Sequence, residues 1–150
     1  MISPTKYHGG KRYLARSIIE LMPPHLHYVE PFAGGLSVLL AKNPEGVSEV
    51  VNDLDGSVAN FWAVLRDPSL YHAFRLRCHC TTFDEWAFNE ALGALGDASV
   101  PYDPVRWAWA FFVVARQSLA GRGDTFAPLS RSRTRRAMNE QASAWISAVD

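Results

Sequence analysis

A chain of 150 residues, 48% hydrophobic and 20% charged, has the length and composition of one globular domain rather than of a disordered segment. No apolar stretch approaches the ~20 residues that span a bilayer, and the polar start, MISPTKYHGG, is unlike a signal peptide. Basic and acidic residues balance at 15 each, but the two signs are segregated. Acids outnumber bases over residues 1–100. In residues 101–136, Arg106, Arg116, Arg122, Arg131, Arg133, Arg135 and Arg136 face only Asp103 and Asp124. A basic segment in a neutral chain suits local contact with a polyanion, with a solvated basic loop as the alternative. Cys78 and Cys80 are too close in sequence to staple the chain, which suits a reducing cytoplasm.

In chain order, KRYLARSIIELM (11–22) spaces its apolar residues for an amphipathic helix, which Pro23 and Pro24 terminate. A short strand follows at about His27–Pro31, then a glycine turn, then a helix expected over Leu36–Ala41. NPEG reads as a loop and SEVVND (48–53) as a second strand. Gly56 and Ser57 open a helix, VANFWAVLRD, which stops near Asp67 and Pro68. Strand–helix–strand–helix order indicates an α/β fold with parallel strands.

Beyond residue 68 the pattern is helical. Thr82 through Glu85 has the form of a capping box for the helix DEWAFNEAL. Asp103 and Pro104 read as an N-cap and first helical position, opening VRWAWAFFVVARQSL. AGRGDTFAPLSRSRT lacks helical period and reads as a loop or hairpin. Met138, Ala142, Trp145 and Val149 fall on one face of a final helix, expected over 136–150. Two strands are too few for a stable open sheet, so the α/β part is expected to be incomplete.

A glycine pair after one strand lets backbone approach a ligand and turn sharply into a helix. A carboxylate after the next strand can accept hydrogen bonds from ribose hydroxyls. Together they suit a nucleoside-containing cofactor, although each alone is also an ordinary structural feature. The turn is EPFAGG rather than G-x-G-x-x-G, which disfavours a dinucleotide oxidoreductase. The C-H-C run beside His72 is too cramped for a tetrahedral zinc site, so no metal is expected. The tryptophans lie on helical patterns and are expected mostly in the core.

KYHGGKRYLARSIIELMPPHLHYVEPFAGGLSVLLAK followed by VVNDLDGSVANFWAVLRD closely resembles the Dam/D12-type adenine-specific DNA methyltransferases, strongly over residues 4–67 and more loosely over 101–135. The resemblance implies a partial Rossmann-like, S-adenosylmethionine-dependent methyltransferase sheet with an inserted, mainly helical recognition region. It divides the chain into a cofactor part (1–67), a DNA-recognition part (68–135) and a helix leading back toward the catalytic half (136–150). By position it implies that Tyr7 and Lys11 close over the methionine end of S-adenosylmethionine. Glu30, Phe32 and Gly34 form the turn beneath it, and Asp53 meets the ribose. Leu36 stands where many relatives carry another glycine.

Arg116, Arg122, Arg131 and Arg133 are the candidate contacts to double-stranded DNA, and Phe126 is either a wedge into the duplex or an anchor of its loop. Relatives hold the flipped adenine with Asp/Asn-Pro-Pro-Tyr/Phe, and no such motif occurs in these 150 residues. The chain alone is therefore expected not to methylate DNA. The open alternatives are a truncated enzyme, an inactive cofactor- or DNA-binding remnant, and one subunit of a split enzyme whose second polypeptide carries the motif.

Overall fold

The computed structural model describes residues 3–97, 99, 101–129, 134–135, 138–139, 145 and 147–148. Helix α1 (Ala15–Glu20) leads into strand β1 (His27–Glu30), and β2 (Ser48–Val51) pairs with it in parallel, from His27↔Ser48 to Glu30↔Val51. Four longer helices follow: α2 (Gly56–Arg66), α3 (Pro68–His79), α4 (Glu85–Gly96) and α5 (Pro104–Gln117). Each of the four starts at an aspartate N-cap whose carboxylate accepts from amides of the first turn. Asp55 receives Ser57, Asp67 receives Ser69 and Leu70, Asp84 receives Ala87, and Asp103 receives Val105 and Arg106. Pro68 and Pro104 occupy first-turn positions, where a missing N–H costs nothing.

The apolar core belongs to these helices. α5 is buried almost all round, from Ala108 through Ala115, and packs against α4, α2 and α3. Phe61 of α2 lies at the centre, its ring 5.3 Å from Phe111, 5.9 Å from Phe74 and 6.0 Å from Phe112. Trp145 is buried against Phe112 and Phe83. Trp109 donates to Thr81 Oγ1, so its polar edge is satisfied. Trp86, by contrast, is largely exposed.

The α/β reading holds at the level of a mixed helix–strand protein, in which a two-stranded parallel sheet accompanies a mostly helical body. The sheet is poorly covered. Val29 and Val50 are 59% and 54% exposed, although parallel strands normally bury both faces. One charged pin holds its start: Lys42 Nζ lies 2.8 Å from Glu49 Oε1 and 5.3 Å from the centre of the Tyr28 ring. Tyr28 and Glu49 are register partners, so the one ammonium ties both strands to the preceding turn. Burial, and then the charges of Glu30 and Glu49, push the Tyr28 hydroxyl up to about 12.

Several expectations are corrected. Leu36–Ala41 is not a continuous helix but successive turns, with Leu40 N bonded to Leu36 O and Lys42 N to Val38 O. Leu36 has a left-handed backbone, φ 49°, which interrupts helical geometry at its first residue. The first helix is shorter than expected because residues 11–14 form turns before Ala15. The cap of α4 is Asp84 rather than Thr82, and the helix starts at Glu85. Met138 lies in β4 (Met138–Asn139), antiparallel to β3 (Thr134–Arg135), so the last helix does not begin at 136. A four-residue apolar spacing satisfies a helical pattern without requiring one. Trp145, Ser147 and Ala148 are helical, while Ala142 and Val149 lie outside the described residues.

Candidate cofactor site and DNA-facing loop

The turn between β1 and β2's far end is built by hydrogen bonds from three directions. Ala33 N donates to Asn52 O at 2.9 Å, and Gly34 N donates to Asp53 Oδ2 at 2.8 Å. Trp62 Nε1, on α2, donates to Gly34 O at 2.8 Å. Gly34 is left-handed, φ 45°, and a Cβ there would lie 3.0 Å from Cε1 of Tyr7. At Gly35 a Cβ would come within 3.3 Å of Tyr7 Cβ. Gly34 thus lets the Tyr7 ring lie directly on the turn, and Gly35 leaves room for the Tyr7 Cβ.

Tyr7, Lys11, Glu30, Phe32 and Gly34 come together around one small cleft of about 60 Å³, which Gly9, Gly10 and Ser37 also line. Asp53 is not in that cleft. It lines an adjoining apolar groove of about 510 Å³ with Leu36, Leu39, Val51, Trp62 and Ala63. Its second oxygen accepts from Asp55 N at 3.0 Å, so the carboxylate holds both the turn and the start of α2. Burial raises the Glu30 carboxyl above its ordinary range, opposed by the Tyr28 hydroxyl, the Leu39 amide and the charge of Lys11. Tyr7 is raised too, first by burial and then by Asp53 and Asp55. The cleft therefore presents a cation, a carboxylate and an aromatic ring around exposed glycine backbone.

The loop after α5 turns back on itself. Leu119–Gly121 forms a 3-10 turn, Leu119 N donates to Thr125 O, and Ala127 N donates to Gln117 O. Phe126 packs against Phe83 and Phe88, which makes it an anchor. Arg122 is exposed on this loop. Arg116, on the last turn of α5, is half-buried, and desolvation lowers its pKa to about 10. Arg131 and Arg133 lie outside the described residues. Among the described residues no group of three or more His, Cys, Asp or Glu is placed to hold a metal, and no helix is long and apolar enough to cross a membrane.

The family profile for D12 class N6 adenine-specific DNA methyltransferases matches residues 7–85, just over half of the chain. The chain belongs to this family. Comparison with curated proteins gives no match. The D12 match covers Tyr7 through Glu85, and so includes the cleft, Asp53, the cap of α2 and the start of α4. Tyr7, Lys11, Glu30, Phe32 and Gly34, singled out in the sequence, line this one cleft, whereas the residues that brace the turn and strands beside it were not singled out. Trp62 read as core, and its role as a donor to Gly34 leaves no trace in apolar spacing. Lys42 carries no signal in the sequence, and only its pairing with Glu49 reveals it.

Proposed function

We propose that this chain is the cofactor- and DNA-binding portion of a site-specific adenine N6 DNA methyltransferase that uses S-adenosylmethionine. The observation that carries the proposal is the convergence of Tyr7, Lys11, Glu30 and Gly34, from two separate segments, on one cleft within the D12-matched region. The donor set fits the amino-acid end of such a cofactor. Lys11 suits its carboxylate, Glu30 its ammonium group, and the Tyr7 face its sulfonium. Asp53, with one oxygen on Gly34 N and one on Asp55 N, keeps unused lone pairs for ribose hydroxyls. The cleft alone is far below the ~300 Å³ of a ligand pocket, so binding requires the Tyr7 ring to give up its place over Gly34.

When bound, the cofactor supplies an electrophilic methyl group to adenine N6. These 150 residues orient that group and, through Arg122 and the segment after it, meet the duplex. They contain no Asp/Asn-Pro-Pro-Tyr/Phe to accept the N6 proton or stack on the extruded base. We therefore assign the acceptor side to a second segment or polypeptide. The exposed valines of β1 and β2 favour this reading, because a partner contributing further strands would cover them.

The test is calorimetric titration of the purified chain with S-adenosylmethionine, alongside Lys11→Ala, followed by tritium transfer to unmethylated DNA. Saturable binding that weakens in Lys11→Ala, without methyl transfer, is the expected result. Absence of binding removes the cofactor assignment, and sustained turnover removes the need for a second polypeptide.

A further inference from the structure

Two adjacent residues of the N-terminal segment lie against glycines in two different parts of the fold, the Tyr7 side chain on one and the Lys6 backbone on the other. On one side Gly34 and Gly35 admit Tyr7. On the other, a Cβ at Gly121 would collide with the carbonyl oxygen of Lys6, closer than any side-chain carbon is found to approach backbone oxygen. Residues 6 and 7 are therefore wedged between the glycine turn and the loop that carries Arg122. A cavity of about 420 Å³ lies at the same junction, with Tyr7 and His8 on one wall and Gly121, Arg122 and Gly123 on another. Tyr7 lines this cavity as well as the small cleft at Gly34. Gly121 sits far along the chain from the cleft and contributes nothing to its lining.

We infer that Gly121 is a positioning residue for the cofactor cleft, acting through Lys6 and Tyr7, and that the cleft and the arginine-bearing loop are thereby coupled. The inference rests on the cofactor cleft proposed above. Its physical content is mutual. A backbone shift at Lys6–Tyr7 that draws the Tyr7 ring off Gly34 carries the Lys6 carbonyl with it, and the loop that rests on that carbonyl through Gly121 follows. Any such coupling is reciprocal, so contact of the loop with DNA shifts the same equilibrium. The loop is held at its base by the pairing of Ser118 with Phe126 and by Gly123 N on Ser118 Oγ. Its tip, the turn Leu119–Gly121, meets the Lys6 carbonyl and is the part that responds.

The test uses the whole chain, labelled with ¹⁵N, and compares Gly121→Ala with Gly123→Ala. Both glycines are left-handed, φ 70° and 82°, so both substitutions strain the same loop. A Cβ at Gly123 meets only Val114 Cγ1, at 3.4 Å, and nothing of the N-terminal segment. In Gly121→Ala the amide order parameters of residues 7–10 should fall below about 0.6 from the ~0.85 of rigid backbone, and in Gly123→Ala they should not. An unchanged 7–10 segment in Gly121→Ala, or an equal fall in both variants, overturns the inference.

The reverse variant, Tyr7→Ala, keeps the question decidable if Gly121→Ala does not fold. It should loosen residues 119–122, and a rigid loop there overturns the link. With S-adenosylmethionine added to the wild type, amide shifts at Gly121 and Arg122 are expected, and affinity in Gly121→Ala should drop about tenfold. Binding that leaves both amides in place overturns the coupling. Absence of any binding instead counts against the cofactor reading, and the variant comparisons still decide the link.

Discussion

The indole N–H of Trp62 donates to the carbonyl of Gly34 at 2.8 Å, joining helix α2 to the glycine turn after β1. Gly34 N is held by Asp53, so both polar groups of this one glycine are claimed by side chains. Trp62→Phe keeps the aromatic surface and removes only the donor. A part-buried carbonyl left without a partner costs about 1–3 kcal/mol. Denaturant unfolding should register that loss, and affinity for S-adenosylmethionine should fall because the turn is no longer fixed. Unchanged stability and affinity would mean that water replaces the indole at no cost.

Leu36 poses a conflict between backbone and side chain. Its left-handed conformation is one that glycine adopts freely, at about 1–2 kcal/mol less strain than a larger residue. Its side chain is almost fully buried, and deleting such a group costs about 2–5 kcal/mol. Burial is the larger effect, so Leu36→Gly should lower stability despite relieving the backbone. A variant more stable than wild type in thermal unfolding would show that backbone strain dominates.

Glu30 gives a pH dependence of definite sign. Its carboxyl is raised above the ordinary 4.5, chiefly by burial, so the folded chain holds the proton more tightly than the unfolded chain. Stability must fall as pH rises from the ordinary value through the raised one, and then level off. Glu30→Gln removes that slope. It should melt higher than wild type at about pH 7 and about equally below the ordinary carboxylate range. The same variant should bind S-adenosylmethionine more weakly, so stability and binding move in opposite directions.

The two candidate DNA-contacting arginines that lie among the described residues should separate in DNA binding. Arg122 is exposed on the loop, whereas Arg116 is half-buried at the end of α5. Arg122→Ala should lower affinity for duplex DNA and flatten its salt dependence by about 0.9 in the log–log slope. Arg116→Ala should act mainly through stability. Equal slopes for Arg122→Ala and wild type would make that arginine a solvated surface group.

Much of this was legible in the residues themselves. Strands β1 and β2 appear as short apolar runs ending in a turn and an acid, and Asp103–Pro104 marks the start of α5 to the residue. Local chemistry writes such features, because a cap or turn uses side chains next to the backbone it satisfies. Leu36–Ala41 was misread because apolar spacing says nothing about φ, and a leucine gives no hint of a left-handed backbone. Thr82 and Asp84 both suit a cap, and only the bond to Ala87 N decides between them. The cleft's lining was visible as motif residues. Its supports, Trp62, Lys42 and Gly121, act across 28, 7 and 115 positions of sequence, on Gly34, Glu49 and Lys6, and only the folded chain brings those partners together.

The concentration of the core in α2 to α5, away from β1 and β2, has a consequence for how the molecule opens. The helices share one aromatic cluster and should lose structure together, as a single cooperative unit. The strand pair has little buried area of its own and leans on the Lys42 pin and the hydrogen bonds around Gly34. It can detach while the helices stay folded. Hydrogen exchange in the strands should therefore report an opening far smaller than global unfolding. The glycine turn and its two strands would then open and reform on a helical base that stays folded throughout.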